Sequence, residues 1–584
     1  MILQANVAGQ INIKKVLFFF FAEPIPSKRK MEALNALKVS GTKRLQAKKY
    51  IDAIQVFTSV IDQLSPSNDD ESNLKSVCLL NRSACYIIQN DFAQATKDAE
   101  EAIKICQSRR DANHFEKSTP EALKNDILTH TFALANVRLG EINEAQLDNV
   151  NAFKYYSIAF KVEPEGEAKK SIRELLKKYN VPEIRTNDKD LEIFAKIRSS
   201  IHDEQSLIQN LAALMEQTAL QNTIPQAIYN KIDQLKYPFL FYAILQLYNN
   251  VEMIVFQCMI ILRTFCEHQM KSVWSEFLLI KEVMTKYANN KNIIVECIKF
   301  LRNSPNDKYQ LFVKHDFLAP IAAALKLDLN EVEAESIFHL LYYIASSPSH
   351  VSRVADIGIM KDILQRRTIG ALMLLSKLCQ DPELLIEASE NGANEWVLQM
   401  AHDHGCEHSA VMHAACVYYS RLLLNRKDEV NEAKKDEIAQ MFDTFAPVVM
   451  KNAKSQEVVS SVFAAFALGV RFATEKVKQH KIVNLASVIL SIYIKNPAIS
   501  QNIVTFIYEC ADNGLVDDIK AVPAAVTTVM RAFTENPSAQ TIVERAAAVA
   551  FLCDHENKDK LLGAALMQFP ESKFLLDFKE KHSQ

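Results

Sequence analysis

From Leu37 onward the chain repeats itself, and the period of the repeat changes part-way along. The stretches LKVSGTKRLQAKKYIDAIQVFTSVI and LLNRSACYIIQNDFAQATKDAEEAI carry small and aromatic residues at matching places: Gly41, Tyr50, Ala53 and Phe57 in the first, Tyr86, Phe92, Ala95 and Ala102 in the second. Small residues let paired helices cross closely, and aromatics fill the groove beside them. SPSNDDESN lengthens the turn between these copies. A third copy is expected with its first helix in ILTHTFALANVRLG and its second in NAFKYYSIAFKVEP, where Ala152, Tyr156, Ala159 and Pro164 hold the spacing. That second helix arrives about seven residues late against the repeat, which places an insertion near Glu144 to Asn151. Lys169 to Tyr179 then reads as the polar capping helix that keeps a repeat array soluble.

Beyond VPEIRTNDKD the period lengthens. Apolar helical segments start near residues 255, 293, 334, 368, 412, 459, 500 and 543, spaced by 34 to 47 residues. A unit near 42 residues is long enough for two or three helices. Apolar residues on most faces mark these segments as inner helices, buried between neighbours. The amphipathic FVKHDFLAPIAAALKL and KAVPAAVTTVMRAF suit outer helices, and KNPAISQNI and ENPSAQTIV fit an N-cap followed by proline in the first turn. No sustained period-two alternation asks for a strand.

Composition supports helices and narrows the chemistry. Only 11 of 584 residues are Gly, well under half of ordinary usage, and loops that cradle phosphate need several. The sequence holds no G-x-G-x-x-G, G-x-x-x-x-G-K-[ST], H-E-x-x-H or G-x-S-x-G and no paired C-x-x-C, so an enzyme is the less expected class and no cofactor is expected. A net charge of -3 gives no basic stripe for nucleic acid. The apolar run Val16 to Ala22 is far below the roughly 20 residues that span a bilayer, so no membrane partner is expected. Residues 1–30 read as a disordered leader or a gene-model extension. Eleven cysteines scattered through apolar segments fit free thiols in a reducing, cytoplasmic setting.

Residues 31–180 resemble the tetratricopeptide domains of chaperone-binding co-chaperones, and Asn81-Arg82-Ser83-Ala84 is similar to the N-R-S-A of their second repeat. A tetratricopeptide module followed by a long armadillo array resembles the UCS-domain myosin co-chaperones; LQRRTIGALMLLSKLCQDPELL is similar to armadillo segments of that family. The tetratricopeptide-armadillo factors that help assemble axonemal dynein have the same module order and a closer length. The resemblance implies a carboxylate clamp of Lys, two Asn, and a further Lys and Arg that grips a chaperone's C-terminal Glu-Glu-Val-Asp tail. Lys38 matches the first Lys and Asn81 the second Asn, while Thr42 replaces the first Asn. A direct alignment puts Ile127 and Thr131 at the last two basic positions; a shift of helix A by seven puts Leu134 and Arg138 there and recovers one cation.

The expected fold is all-α, an α-α superhelix with a tetratricopeptide domain at 31–180, a linker at 181–195 and an armadillo-like domain at 196–584. The expected function is a protein-binding co-chaperone that links an Hsp90 or Hsp70 tail to a client such as myosin; the alternatives are a repeat scaffold without a chaperone or a dynein assembly factor. Two further clusters call for a reading. His402, His404, Cys406, His408 and His413 include natural zinc ligands, but their spacing fits no known finger, and an exposed polar loop is the expectation. Tyr237, Phe239, Phe241, Tyr242 and Tyr248 read as core before they read as a client surface.

Overall fold

The computed structural model describes residues 27–66, 68–109, 127–182, 191–219, 225–425 and 432–582, and among them every regular element is an α- or 3-10 helix. The chain divides into two compact units, Met1–Val283 and Met284–Gln584. The expected leader falls mostly outside the described residues, and its last four positions already belong to the first helix.

The first unit opens with three helical hairpins: α1 (Ser27–Gln46) with α2 (Tyr50–Ile61), α3 (Asp69–Ile88) with α4 (Phe92–Arg109), and α5 (Ile127–Ala145) with α6 (Asn149–Val162). Each hairpin turns in three residues. The middle residue of each turn is left-handed, with φ of 58° at Lys48, 61° at Asn90 and 64° at Leu147. The next N–H in each, from Lys49, Asp91 and Asp148, reaches back 2.9 Å to the carbonyls of Arg44, Tyr86 and Asn143. This closure satisfies a carbonyl at the helix end and fixes the angle of return. The three turns are therefore equivalent, and the insertion expected at Glu144 to Asn151 is not there. The extra residues of the third copy precede Ile127.

The crossings repeat in the same register. Gly41 and Gly140 each lie sixteen residues before an aromatic, Phe57 and Tyr156. A Cβ on Gly41 would meet Phe57 Cε1 at 2.6 Å, and one on Gly140 would meet the Tyr156 ring more closely still. In the second hairpin Ser83 takes the glycine's place and donates to Ala95 O at 2.9 Å; Ala99, with no ring, stands where Phe57 and Tyr156 do. Arg82 binds the buried Asp98 through both Nε (2.8 Å) and Nη2 (2.7 Å) and Thr58 Oγ1 through Nη1 (2.8 Å), tying α2, α3 and α4 together. The capping helix α7 (Glu167–Lys178) buries Ala168, Ile172, Leu175 and Leu176 and exposes Lys169, Lys170, Arg173, Lys177 and Lys178.

Only part of the linker expected at 181–195 lies among the described residues. Residues 183–190 lie outside the described residues, but 192–199 is already helical. Phe153 of α6 meets Tyr248 edge-on at 5.7 Å, Phe160 packs on His202 at 4.2 Å, and Lys161 pairs with Asp203 at 3.1 Å. The following helices thus continue the same unit.

All eight apolar segments of the longer period are helices. One of them, Glu252–Glu267, belongs to the first unit. In the second unit the series starts at Lys291–Arg302, and Glu331–Ile344, Ile369–Leu378, Ser409–Asn425, Gln456–Gly469, Pro497–Asp512 and Gln540–Leu552 each pack on the one before. Contact with neighbours alone is what makes a solenoid. Two local expectations are corrected. FVKHDFLAPIAAALKL is two short helices, Tyr309–Lys314 and Leu318–Ala324, broken at Asp316 with φ 57°. ENPSAQTIV does not start its helix at the proline, because Asn536 turns back to Ile494 O at 2.7 Å and the helix begins at Gln540. KNPAISQNI behaves as expected, with the Asn496 side chain capping Ile499 N–H. Ten of the 11 cysteines are buried as free thiols and Cys406 is half-buried. No helix among the described residues is long and apolar enough to cross a membrane.

Candidate functional site

Helices α1 and α3 touch, as do α3 and α5, so the first helices of the three hairpins lie in a row. The shared register of Gly41, Ser83 and Gly140 fixes which residues take equivalent places along that row. Lys38 and Thr42 flank Gly41, Asn81 lies two residues before Ser83, and Leu134 and Arg138 lie six and two residues before Gly140. The direct alignment through Ile127 and Thr131 falls with the misplaced insertion; Thr131 is buried, and its hydroxyl bonds Ile127 O at 2.8 Å.

The five side chains differ in what they have to offer. Lys38 is half-buried and has no ion-pair partner among the described residues. It lies close enough to Cys78 on α3 to act on that thiol: burial pushes the thiol up to about 12, with Lys38 and Arg82 pulling weakly the other way. Asn81 is also half-buried, and its amide has no side-chain partner among the described residues. Thr42 has spent its hydroxyl on Lys38 O, 3.1 Å away in the same helix, a local bond that competes with any ligand. Arg138 holds Glu141 at 2.6 Å across one turn. Leu134 packs on the hydrophobic core of the first two hairpins and offers no charge. These five positions therefore present one cation and one amide without a side-chain partner among the described residues, and one cation engaged in a partly exposed pair. Such a set suits a single carboxylate.

The histidine cluster does not converge. His402 and His404 sit in the last turn of Ala393–His404, His408 lies in the following turn with its ring 6.3 Å from that of His404, and Lys451 Nζ is 3.5 Å from Cys406 Sγ. His413 lies 3.2 Å from Ser461 Oγ on the next inner helix. Among the described residues no group of three or more His, Cys, Asp or Glu comes together as a metal site. Most of the aromatic run is core: Tyr237, Phe241 and Tyr242 are buried, Phe239 is half-buried, and the half-buried Tyr248 donates from Oη to Ile201 O at 2.6 Å. Sequence reasoning missed the Arg82–Asp98 pair, because an ion pair sixteen residues apart across a hairpin has no local signature.

No family model matches the chain. A chain from a study of the phosphorylation-controlled interaction between cadherin and β-catenin superposes with a TM-score of 0.52 and 12% identity, covering 84% of this chain and 95% of that one. The fold is thus that of an armadillo-like helical-repeat protein. Among curated proteins, Protein unc-45 homolog B of Xenopus tropicalis is 33% identical over 75 residues, which is 13% of this chain and 8% of that protein's length. The myosin chaperone UNC-45 from C. elegans, solved with an Hsp90 peptide, aligns at 11% identity over 94% of this chain and 73% of that one, with a TM-score of 0.19.

Proposed function

We propose that this protein is a co-chaperone-type adaptor of the cytoplasm, in which the three tetratricopeptide-like hairpins take the C-terminal tail of an Hsp90 or Hsp70 chaperone and the armadillo-like helices hold a client. The observation that carries this reading is the pair of uncommitted donors, Lys38 and Asn81, on adjoining first helices at the clamp positions. An ammonium and an amide side by side hydrogen-bond a carboxylate well. A motor protein such as myosin is the client that the resemblance favours, and axonemal dynein is the alternative. Calorimetric titration of the full chain with a peptide ending in Glu-Glu-Val-Asp, beside the same peptide amidated at its C-terminus, tests it. Micromolar binding that needs the free carboxylate and weakens at least about tenfold in Lys38→Ala is expected, since a hydrogen bond to a charged group contributes about 1.5–3 kcal/mol.

A second reading has its own observation. Leu134 is apolar and Thr42 is self-bonded at two of the five clamp positions, which favours a repeat scaffold whose hairpins bind another protein. Absence of tail binding by the folded full chain would select it.

A further inference from the structure

The overall charge of -3 conceals a local excess of the opposite sign. Residues 27–49, which form α1 and its turn into α2, hold eight Lys or Arg against a single acid, Glu32, in a chain that is otherwise acidic. Among the described residues Arg44 is paired, with Asp52 at 3.3 Å, while Lys28, Arg29, Lys43, Lys48 and Lys49 have no ion-pair partner.

The helix lays these charges on one side. At about 100° per residue, Lys28, Arg29, Glu32, Ala36, Val39 and Lys43 fall within one arc of about 100°, opposite the buried Leu34 and Gly41. All six are exposed, the apolar Val39 by 48%. Leu34 belongs to the core that α1 shares with α2 and α3, and Lys38, the cation of the tail site, lies outside the arc. The stripe runs about 22 Å from Lys28 to Lys43, and the exposed Lys48 and Lys49 extend it. A face with many cations along a helix is matched by anions spread over a surface.

A second feature tells which anionic surface. The run Val16 to Ala22 lies outside the described residues; it is wholly apolar, holds four consecutive Phe, and is flanked by Lys14-Lys15 and by Lys28-Arg29-Lys30. Five residue steps join Ala22 to Ser27, and at about 3.3 Å per extended residue they let the run lie within about 17 Å of α1. The run is too short to span a bilayer, but a surface anchor needs no span, and aromatics beside cations suit the boundary between headgroups and acyl chains. A phosphate backbone gives an unbroken apolar run nothing to bury against, whereas an anionic bilayer serves both features.

We propose that α1 and the residues before it form a peripheral membrane anchor, in which Lys28, Arg29, Lys43, Lys48 and Lys49 hold the headgroups of an anionic lipid surface while Phe18 to Phe21 enter the interface. Either signal alone gives weak, reversible attachment, and the two together give a stable one. The inference goes beyond the adaptor reading and depends on neither the tail site nor the client.

Sedimentation of the full-length protein with vesicles tests it, using phosphatidylcholine alone or with about 30% phosphatidylserine, at about 0.1 M and about 0.5 M NaCl. Two variants run beside wild type, both checked for unchanged circular dichroism: Lys28→Gln/Arg29→Gln/Lys43→Gln/Lys48→Gln/Lys49→Gln, and Phe18→Ser/Phe19→Ser/Phe20→Ser/Phe21→Ser. Wild type is expected to bind the anionic vesicles at the lower salt and those of phosphatidylcholine at least about tenfold more weakly. Each variant should lose at least about tenfold in affinity for the anionic vesicles, and what binding the serine variant keeps should vanish at the higher salt. No binding of wild type to anionic vesicles, equal binding to both compositions, or indifference to the charge substitutions overturns the proposal. Binding unchanged by the serine substitutions overturns it too, and displacement by a short DNA duplex would then make the stripe a general polyanion site. A failed titration with the Glu-Glu-Val-Asp peptide leaves it standing.

Discussion

Two glycines of this chain respond in opposite directions to the same added methyl group. Gly140 faces the Tyr156 ring, and that ring cannot swing aside because its hydroxyl is held by Glu144 at 2.7 Å. Gly563, in the helix Lys558–Gln568, has open space where a Cβ would stand, with nothing within 4 Å. Alanine gains about 1 kcal/mol over glycine in a helix, whereas overpacking a crossing loses about 1–3 kcal/mol. Gly563→Ala should therefore raise the melting temperature, and Gly140→Ala should lower it by more than the helical gain can restore. At the tail site, Thr42→Asn replaces a self-bonded hydroxyl with the amide found in the chaperone-binding family, and severalfold tighter binding of the Glu-Glu-Val-Asp peptide is expected by calorimetry. The register of the third hairpin is settled at the same scale. Gly41 and Phe57 are legible as a crossing, and Gly140 and Tyr156 repeat their spacing, but the left-handed turn residues are Lys48, Asn90 and Leu147. Only asparagine among these has a local reason to adopt that conformation, so the turn before α6 gives no sequence signal and the extra residues are assigned to the wrong side of α5.

At the scale of helices, the long inner segments were the most legible part of the chain, because a run apolar on most faces has few alternatives to burial between neighbours. What holds one such helix in register on the next was not legible. Glu335, on Glu331–Ile344, accepts the Gly370 N–H at the start of Ile369–Leu378 at 2.8 Å, and His339 Nε2 lies 2.9 Å from the same oxygen. Burial pushes the Glu335 carboxyl up, but His339 and Thr368 beside it and the Gly370 N–H it accepts outweigh this and leave it below the usual carboxylate range. A carboxyl with a lowered folded pKa contributes stability that is complete above its unfolded value, about 4.3, and is lost as pH falls through the folded value. Glu335→Gln should lose about 1 kcal/mol at pH 7, where a neutral acceptor replaces a charged one. Below about pH 4 the gap between variant and wild type should narrow. Urea unfolding followed at pH 7 and pH 3.5 measures both, and a gap that stays constant would remove the ionised carboxylate from the account.

For the whole molecule, pattern reading locates a change of repeat type around residues 181–195, yet the compact units divide at Val283. The difference has a physical source: repeat type is written in local spacing, whereas a unit is defined by which surfaces bury one another. Phe153 on Tyr248 and Lys161 on Asp203 bind the third hairpin to the helices that follow, and no period records such contacts. Each unit has its own buried side chains, with Phe57 in the first and Phe466, stacked on Phe442 at 4.7 Å, in the second. Because repeats contact only near neighbours, cooperativity in a long array breaks down over distance. Urea unfolding of the full chain should accordingly show two transitions. Phe57→Ala and Phe466→Ala, each removing about 3–5 kcal/mol of packing, should move different transitions and leave the other midpoint in place. A single transition that both substitutions shift alike would mean that the two units unfold as one, and a tail bound on the hairpins would then stabilise the second unit as well. Two separate transitions would instead make tail and client binding energetically independent, and an adaptor built that way joins its partners by tethering alone.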